Sequence, residues 1–240
     1  MVHSTKANET DVVILCGGLG TRLRPVIINK PKAMVGIGDR PFLDLLIKYI
    51  SSFGFKRFIL CTGYQSGHIE EYYKNKKDSL KYVFSTEREP LGTAGAIKNA
   101  ESLINSNSFL CFNGDSFCPV SLRSFFDFHF ANKSIASIVV TSKQNPDDYG
   151  SVELEKNNLI VNFNEKSLSK ASGLVSAGIY MFDEKVFRQI PSGKASSLEH
   201  NIFPDLVKKG ISGFLVHQPL FDIGTPERLE FAKVELLKFT

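Results

Sequence analysis

The stretch LCGGLGTRLRPVIINKPKAM, residues 15–34, sets Gly17, Gly18 and Gly20 beside Arg22, Arg24, Lys30 and Lys32, with no acidic residue among them. Glycines let backbone amides come close to a ligand, and cations without carboxylates suit an anion. The same residues would also make an ordinary surface turn with solvated charges. Two familiar phosphate loops are excluded. A dinucleotide fingerprint begun at Gly18 and Gly20 needs Gly or Ala where the chain has Leu23. A P-loop needs Gly-Lys-Ser/Thr, but the pair Gly193-Lys194 is followed by Ala195 and has Arg188 at the first glycine position.

The elements that must hold this loop follow from hydrophobic periodicity. VVILC (12–16), RFILCTG (57–63), KYVFS (81–85) and SFLCFNGD (108–115) read as buried strands. Helical patterns over 41–54, about 66–75, 92–104 and 121–133 alternate with them. That alternation predicts a parallel sheet with helices on both faces, and ligands bind such sheets beyond the carboxyl ends of the strands. The glycine loop and Asn113-Gly114-Asp115 both fall at such ends. The second half is richer in strand: SIVVT (137–141), SVELE (151–155), LIVNFNEK (159–166), VSAGIYMF (175–182) and GFLVH (213–217), several expected antiparallel. Short helices at about 184–190 and 197–209 and a closing helix at about 225–238 complete the reading. The expectation is one domain over 1–240, with a β-rich lobe inserted at about 134–182.

Bulk composition narrows the partners. Lys and Arg number 29 against 25 Asp and Glu, a net +4, which is too mild for a nucleic-acid footprint. No apolar run reaches the roughly 18 residues of a membrane span. Residues 1–11, MVHSTKANETD, lack the apolar core of a signal peptide and are expected to fray or dock lightly. Cys16, Cys61 and Cys111 sit in apolar runs and no C-x-x-C pair occurs with Cys118, which suggests buried thiols in a reduced, cytoplasmic protein.

The glycine block with Pro31-Lys32 resembles the N-terminal signature of the sugar-1-phosphate nucleotidyltransferases. The resemblance recurs in chain order in EPLGTAGAI (89–97), NGD (113–115), YGSVE (149–153), FNEK (163–166), SAGIY (176–180) and FDIGTPERL (221–229), covering roughly 11–232. It implies an α/β, Rossmann-like, mostly parallel mixed sheet with helices on both faces and a small β-rich sugar-binding lobe. It also implies the joining of a nucleoside triphosphate to a sugar 1-phosphate with release of pyrophosphate. The chain departs from the family at Val26-Ile27-Ile28, where Thr is usual, and at Ala33 and Gly36, where Pro is frequent. Arg22 and Lys32 are untouched by these changes.

By this resemblance Arg22 lies along the triphosphate and Lys32 contacts the reacting phosphates, as the catalytic pair. Asp115 and Asp222 would hold Mg2+, which favours one or two carboxylates completed by phosphate oxygens and water. Leu15, Gly17, Gly18, Gly20, Thr21, Gly92, Thr93 and Asn113 would bind the nucleotide. In the sugar-phosphate site Lys166 would bind the phosphate, and Glu165, with backbone groups near Tyr149, Gly150 and Gly178, would hydrogen-bond the sugar hydroxyls. Glu87 falls where the family reads the base edge. A carboxylate can accept the paired N1–H and 2-amino donors of guanine, whereas uracil or thymine offers one N–H between two carbonyls. GTP is therefore the favoured triphosphate. Read singly, the two aspartates are also turn residues, FNEK is also hairpin polar chemistry, and Glu87 has Glu89 as a rival.

Within the family the details look most like the bacterial guanylyltransferases of D-glycero-D-manno-heptose 1-phosphate. Guanylyltransferases of mannose 1-phosphate and uridylyl- or thymidylyltransferases are the alternatives. A silent nucleotide-sugar-binding subunit would be expected to lose Arg22, Lys32 or a metal aspartate. Many relatives carry an appended β-helix domain; no hexapeptide repeat occurs in this chain, so the transfer step alone is expected. Assembly into a homo-oligomer is also expected.

Overall fold

The computed structural model describes residues 7–23, 27, 30–143, 149–165 and 173–239. Its framework is a nine-stranded mixed sheet. Strand β1 (Asp11–Leu15) runs parallel between β4 (Arg57–Thr62) and β6 (Ser108–Asn113), and β4 runs parallel to β5 (Lys81–Thr86). Strand β2 (Gly36–Ile37) and β3 (Arg40–Pro41) form a separate small hairpin. Beyond β6 the sheet turns antiparallel through β11 (Leu174–Asp183), which pairs with β8 (Ala136–Ser142). A hairpin of β9 (Gly150–Leu154) and β10 (Ile160–Glu165) joins β11 at Val175, and β12 (Ser212–Leu215) runs parallel to β8. The β-rich segment expected as an inserted lobe thus continues the same sheet. Its pairing is antiparallel except at β12.

Alternation along the central strands divides the interior into two layers. Val12, Ile14, Phe58, Leu60, Leu110 and Phe112 face one side. There they meet α1 (Phe42–Ser51), α2 (Ser66–Lys74), α4 (Leu122–Asn132) and α6 (Pro226–Leu236), each introduced by its buried stripe. Val13, Ile59, Cys61, Phe109 and Cys111 face the other side, against α3 (Gly92–Asn99) and α5 (Phe203–Val207). Every residue of β1 but the last is buried, the signature of a strand covered on both faces. All four cysteines are buried and free.

The expected helix over 92–104 stops at Asn99 and ends in a separate 3-10 turn over Glu101–Leu103. The one expected over 197–209 is split into a π-helical turn at Leu198–Ile202 and the short α5, with Pro204 at the junction. Of the stretch 1–11, expected to fray or dock lightly, residues 7–11 are docked. Ala7 is 8% exposed and Thr10 6%, and Asp11, at 2%, pairs with Arg57 at 2.6 Å and takes the Asn105 and Ser106 amides.

Parallel register aligns the strand ends that matter. Leu15 stands beside both Cys61 and Asn113, and Thr62 beside Thr86. The glycine loop, Gly63, Glu87 and Gly114-Asp115 therefore leave the sheet along one edge. A two-residue ribbon closes over that edge: β7 (Ser116–Phe117) pairs antiparallel with β13 (Phe221–Asp222), setting Asp222 opposite Ser116. The Ile223 amide donates to the Asp115 carbonyl at 3.0 Å, so the two aspartates, distant in sequence, sit on adjacent backbones.

Candidate active site

The cleft at this edge has two halves. One, of about 280 Å³, is lined by Leu15, Gly17, Gly18, Glu87, Gly92 and Thr93 and is mainly apolar. The other, of about 230 Å³, is lined by Arg22, Tyr149, Gly150, Gly178, Glu199, Asp222 and Arg228 among others. Lys32, Asn113 and Asp115 line both. Neither half alone reaches the volume of a typical ligand cavity, roughly 300–1,000 Å³.

At the junction Lys32 Nζ lies 2.6 Å from Asp115 Oδ2, with the aspartate side chain 44% exposed. Pro31 holds an extended backbone ahead of the short turn that presents Lys32. Asp222 is more enclosed. The Tyr149 hydroxyl donates to its Oδ2, and the Gly224 amide donates to Oδ1 at 2.8 Å. The Arg228 guanidinium lies 3.5 Å from the same Oδ1. Arg22 is exposed, with a guanidinium nitrogen 3.6 Å from where a Cβ on Gly224 would stand. Arg228 and Lys143 flank the Tyr149 ring at 5.2 and 5.1 Å. Burial lowers the pKa of Lys143, and Asp222 opposes that shift.

Two carboxylates on one cavity wall, one of them well exposed, match an ion that leaves coordination places for phosphate oxygens and water. Among the described residues no group of three or more His, Cys, Asp and Glu side chains gathers into an all-protein metal cage.

In the apolar half the Glu87 carboxylate packs against bare backbone. A Cβ on Gly17 would lie 2.9 Å from its Oε1, and one on Gly63 2.8 Å. Its Oε2 accepts the Leu91 amide at 3.1 Å. Burial raises the Glu87 pKa, and that amide bond partly offsets the rise. Gly92 has φ +70°, and a Cβ there would stand 2.6 Å from the Ser196 carbonyl oxygen, so no side chain fits. In the polar half Gly178 has φ +71° at the irregularity where β11 shifts register against β8. A Cβ on it would collide with Ser116 Oγ and Asn113 Nδ2, at 2.7 and 2.8 Å. Tyr180, fully buried, has its phenol pKa raised by burial and then by the nearby Glu199 charge.

Most residues singled out from the sequence therefore line one cleft. Some are placed differently. Gly20 borders a small adjoining pocket with Lys30 and Lys32, while exposed Thr21 lines none of the cavities described. Thr93 spends its hydroxyl on Glu199, at 2.7 Å. Tyr149 lines the polar half and turns its phenol to Asp222. Glu165 pairs through its backbone with Gly150, but its side chain lies outside the described atoms, as does all of Lys166. Sequence reasoning missed Glu199, Arg228, Ser176 and Tyr180 as cavity residues, although the last three lie inside quoted blocks.

The chain matches the family model described as Nucleotidyl transferase over residues 11–238. It is 33% identical over 215 residues to the D-glycero-alpha-D-manno-heptose 1-phosphate guanylyltransferase of Campylobacter jejuni, covering 90% of this chain and 95% of that protein. It is 32% identical over 235 residues to the mannose-1-phosphate guanylyltransferase of Mycobacterium tuberculosis, covering 96% of this chain but 66% of that protein. The crystal structure of HddC from Yersinia pseudotuberculosis superposes with a TM-score of 0.82 at 33% identity, over 96% of this chain and 100% of that one. HddC has also been crystallised with GMP-PN, with the same TM-score and identity. The family match spans nearly the whole sequence that builds this two-part cleft, and the chain belongs to the nucleotidyl transferase family.

Proposed function

We propose that the protein transfers a guanylyl group from GTP to a sugar 1-phosphate and releases pyrophosphate, with D-glycero-D-manno-heptose 1-phosphate as the sugar substrate. The observation that carries this reading is the Lys32–Asp115 pair standing where an apolar half-cleft meets a polar one. Support for guanine and heptose comes from the Campylobacter relative, and from the HddC complex with GMP-PN. Mannose 1-phosphate is the second reading, favoured by the comparable identity of the Mycobacterium enzyme.

Both reactants are polyanions, so the protein's task is alignment and charge compensation. The apolar half takes the base between the Gly17–Gly18 backbone and Gly92, with Glu87 accepting the guanine donor pair. Arg22 lies along the triphosphate, its planar fork suited to phosphate oxygens. Lys32 neutralises charge where the sugar phosphate oxygen attacks the α-phosphorus and pyrophosphate leaves in line. Asp115 and Asp222 would hold Mg2+, which when bound offsets phosphate charge at the reacting centre. Tyr149, the Gly224 amide and Arg228 fix the Asp222 carboxylate for that task.

The test is pyrophosphate release with Mg2+, five nucleoside triphosphates and a panel of sugar 1-phosphates. The reading expects GTP with heptose 1-phosphate to give the highest kcat/KM. A preference for UTP or dTTP would refute the guanylyl assignment, and a preference for mannose 1-phosphate would favour the second reading.

A further inference from the structure

Thr93 borders the apolar half, yet its hydroxyl serves the other one. It donates to Glu199 Oε2 at 2.7 Å and accepts the Leu198 amide at 2.7 Å. The Ser197 hydroxyl donates to the same Oε2 at 2.7 Å, and Ser197 Oγ in turn accepts the Glu199 amide at 3.1 Å. The turn that carries Glu199 is locked to α3 through the Ser196 carbonyl, which accepts the Ala94 and Gly95 amides at 2.9 and 3.1 Å. Glu199 is thus held in one orientation on the wall of the polar half.

All these bonds to the carboxylate fall on Oε2. Oε1 takes no hydrogen bond among the described residues. In the same cavity Asn113 Oδ1 is buried without a partner among them. Of the other two carboxylates there, Asp222 is engaged at both oxygens by Tyr149, Gly224 and Arg228, and exposed Asp115 carries the Lys32 ammonium on Oδ2. Glu199 Oε1 and Asn113 Oδ1 are thus acceptors left over on the wall of the polar half, and a buried acceptor such as Asn113 Oδ1 calls for a donor. A phosphate has none to give at neutral pH and is repelled by a carboxylate. Sugar hydroxyls are donors, and they match.

We propose that Glu199 reads the hydroxyl groups of the sugar 1-phosphate, and that Thr93 and Ser197 are positioning residues that aim it. The inference rests on the transferase reading above and assigns to the sugar a contact that Thr93's place beside the base half would have given to the nucleotide.

The experiment compares wild type, Glu199→Gln, Thr93→Val and Thr93→Ser, with KM determined separately for GTP and for the sugar 1-phosphate, and with monodeoxy analogues of the sugar. Glu199→Gln is expected to raise the sugar KM about 10- to 100-fold, the range for one charge-assisted hydrogen bond, while the GTP KM moves less than about threefold. It should also erase the wild-type preference for the sugar over one of its monodeoxy analogues. Thr93→Val should raise the sugar KM by a smaller factor, and Thr93→Ser, which keeps the hydroxyl, should restore it. Melting curves identify any variant that fails to fold, in which case the Val/Ser pair at Thr93 decides. An active wild type whose Glu199→Gln and Thr93→Val variants keep the sugar KM within about twofold, or shift the GTP KM instead, overturns the inference alone. A wild type that releases no pyrophosphate with any sugar 1-phosphate overturns the transferase reading and this inference together.

Discussion

Lys32 and Asp115 neutralise each other at 2.6 Å, yet on the proposed reading each faces a cleft for anions and a cation. The pair is therefore a stand-in arrangement, in which each charge waits for a stronger partner. Lys32→Ala leaves Asp115 exposed to water, so the fold should lose little while the reaction loses its phosphate contact. We expect kcat/KM to fall by about 100-fold or more, the scale for one preorganised charge at a reacting centre, with an unchanged circular dichroism spectrum. Arg22→Ala, at an exposed position, should do the same. Turnover near wild type at saturating substrate would strip either residue of its role. Glu87 allows a sharper reading. Its carboxylate should discriminate GTP from UTP by about 10- to 100-fold, and Glu87→Gln should relax that ratio. Because burial raises its pKa, the ionised form that would accept both guanine donors is lost on acidification sooner than for an ordinary glutamate. The GTP KM of wild type should climb as pH falls, and that climb should flatten in Glu87→Gln.

Elements are held by contacts of another kind, and one of them is sensitive to pH. His129 on α4 is 3% exposed and its Nδ1 lies 2.9 Å from Ser137 Oγ on β8. Burial drives its pKa from 6.5 down to about 4, only partly opposed by Asp183. The neutral ring is the form that packs. The unfolded chain takes up the proton first as pH falls, so this histidine's contribution is complete above about pH 6.5 and is lost between there and about pH 4. A shift of this size corresponds to about 3 kcal/mol. Urea midpoints measured from pH 7.5 to 4.5 should decline in wild type, and the decline should be shallower in His129→Gln. Parallel declines would remove His129 as the cause. The elements themselves were mostly legible: β1, β4 and β6 declare themselves by unbroken apolar runs, and α1 by its helical spacing. The β7–β13 ribbon was not, since two-residue strands carry no period and Ser116 finds Asp222 only through the whole fold. The same distance hid the Thr93–Glu199 bond, between residues 106 positions apart.

At the scale of the molecule, the sheet edge supplies Leu15, Glu87 and Asn113, and the ribbon draws the C-terminal segment across to add Asp222 and Arg228. Family resemblance made the two aspartates legible as a pair, but not how their charges are already balanced in the free protein. Lys32 answers Asp115, while Tyr149, the Gly224 amide and Arg228 answer Asp222. A metal entering alone would have to displace Lys32 from Asp115, gaining two carboxylates and no phosphate oxygen. With GTP present the phosphates would supply the missing ligands and would also draw Lys32 away. Mg2+ is therefore expected to bind with the nucleotide and not before it. Millimolar Mg2+ alone should leave the melting temperature unchanged. GTP with Mg2+ at about 100 times the dissociation constant should add about 2.7 kcal/mol, which for a domain of this size is a rise of roughly 5–10 °C. GTP with EDTA should give a smaller rise, because the base half still binds. Asp222→Asn should bring the Mg2+-supplemented rise down to the EDTA level and abolish pyrophosphate release. If Mg2+ alone raised the melting temperature as much as the combination does, the metal site would be preformed, and the balance of charges argued here would be wrong.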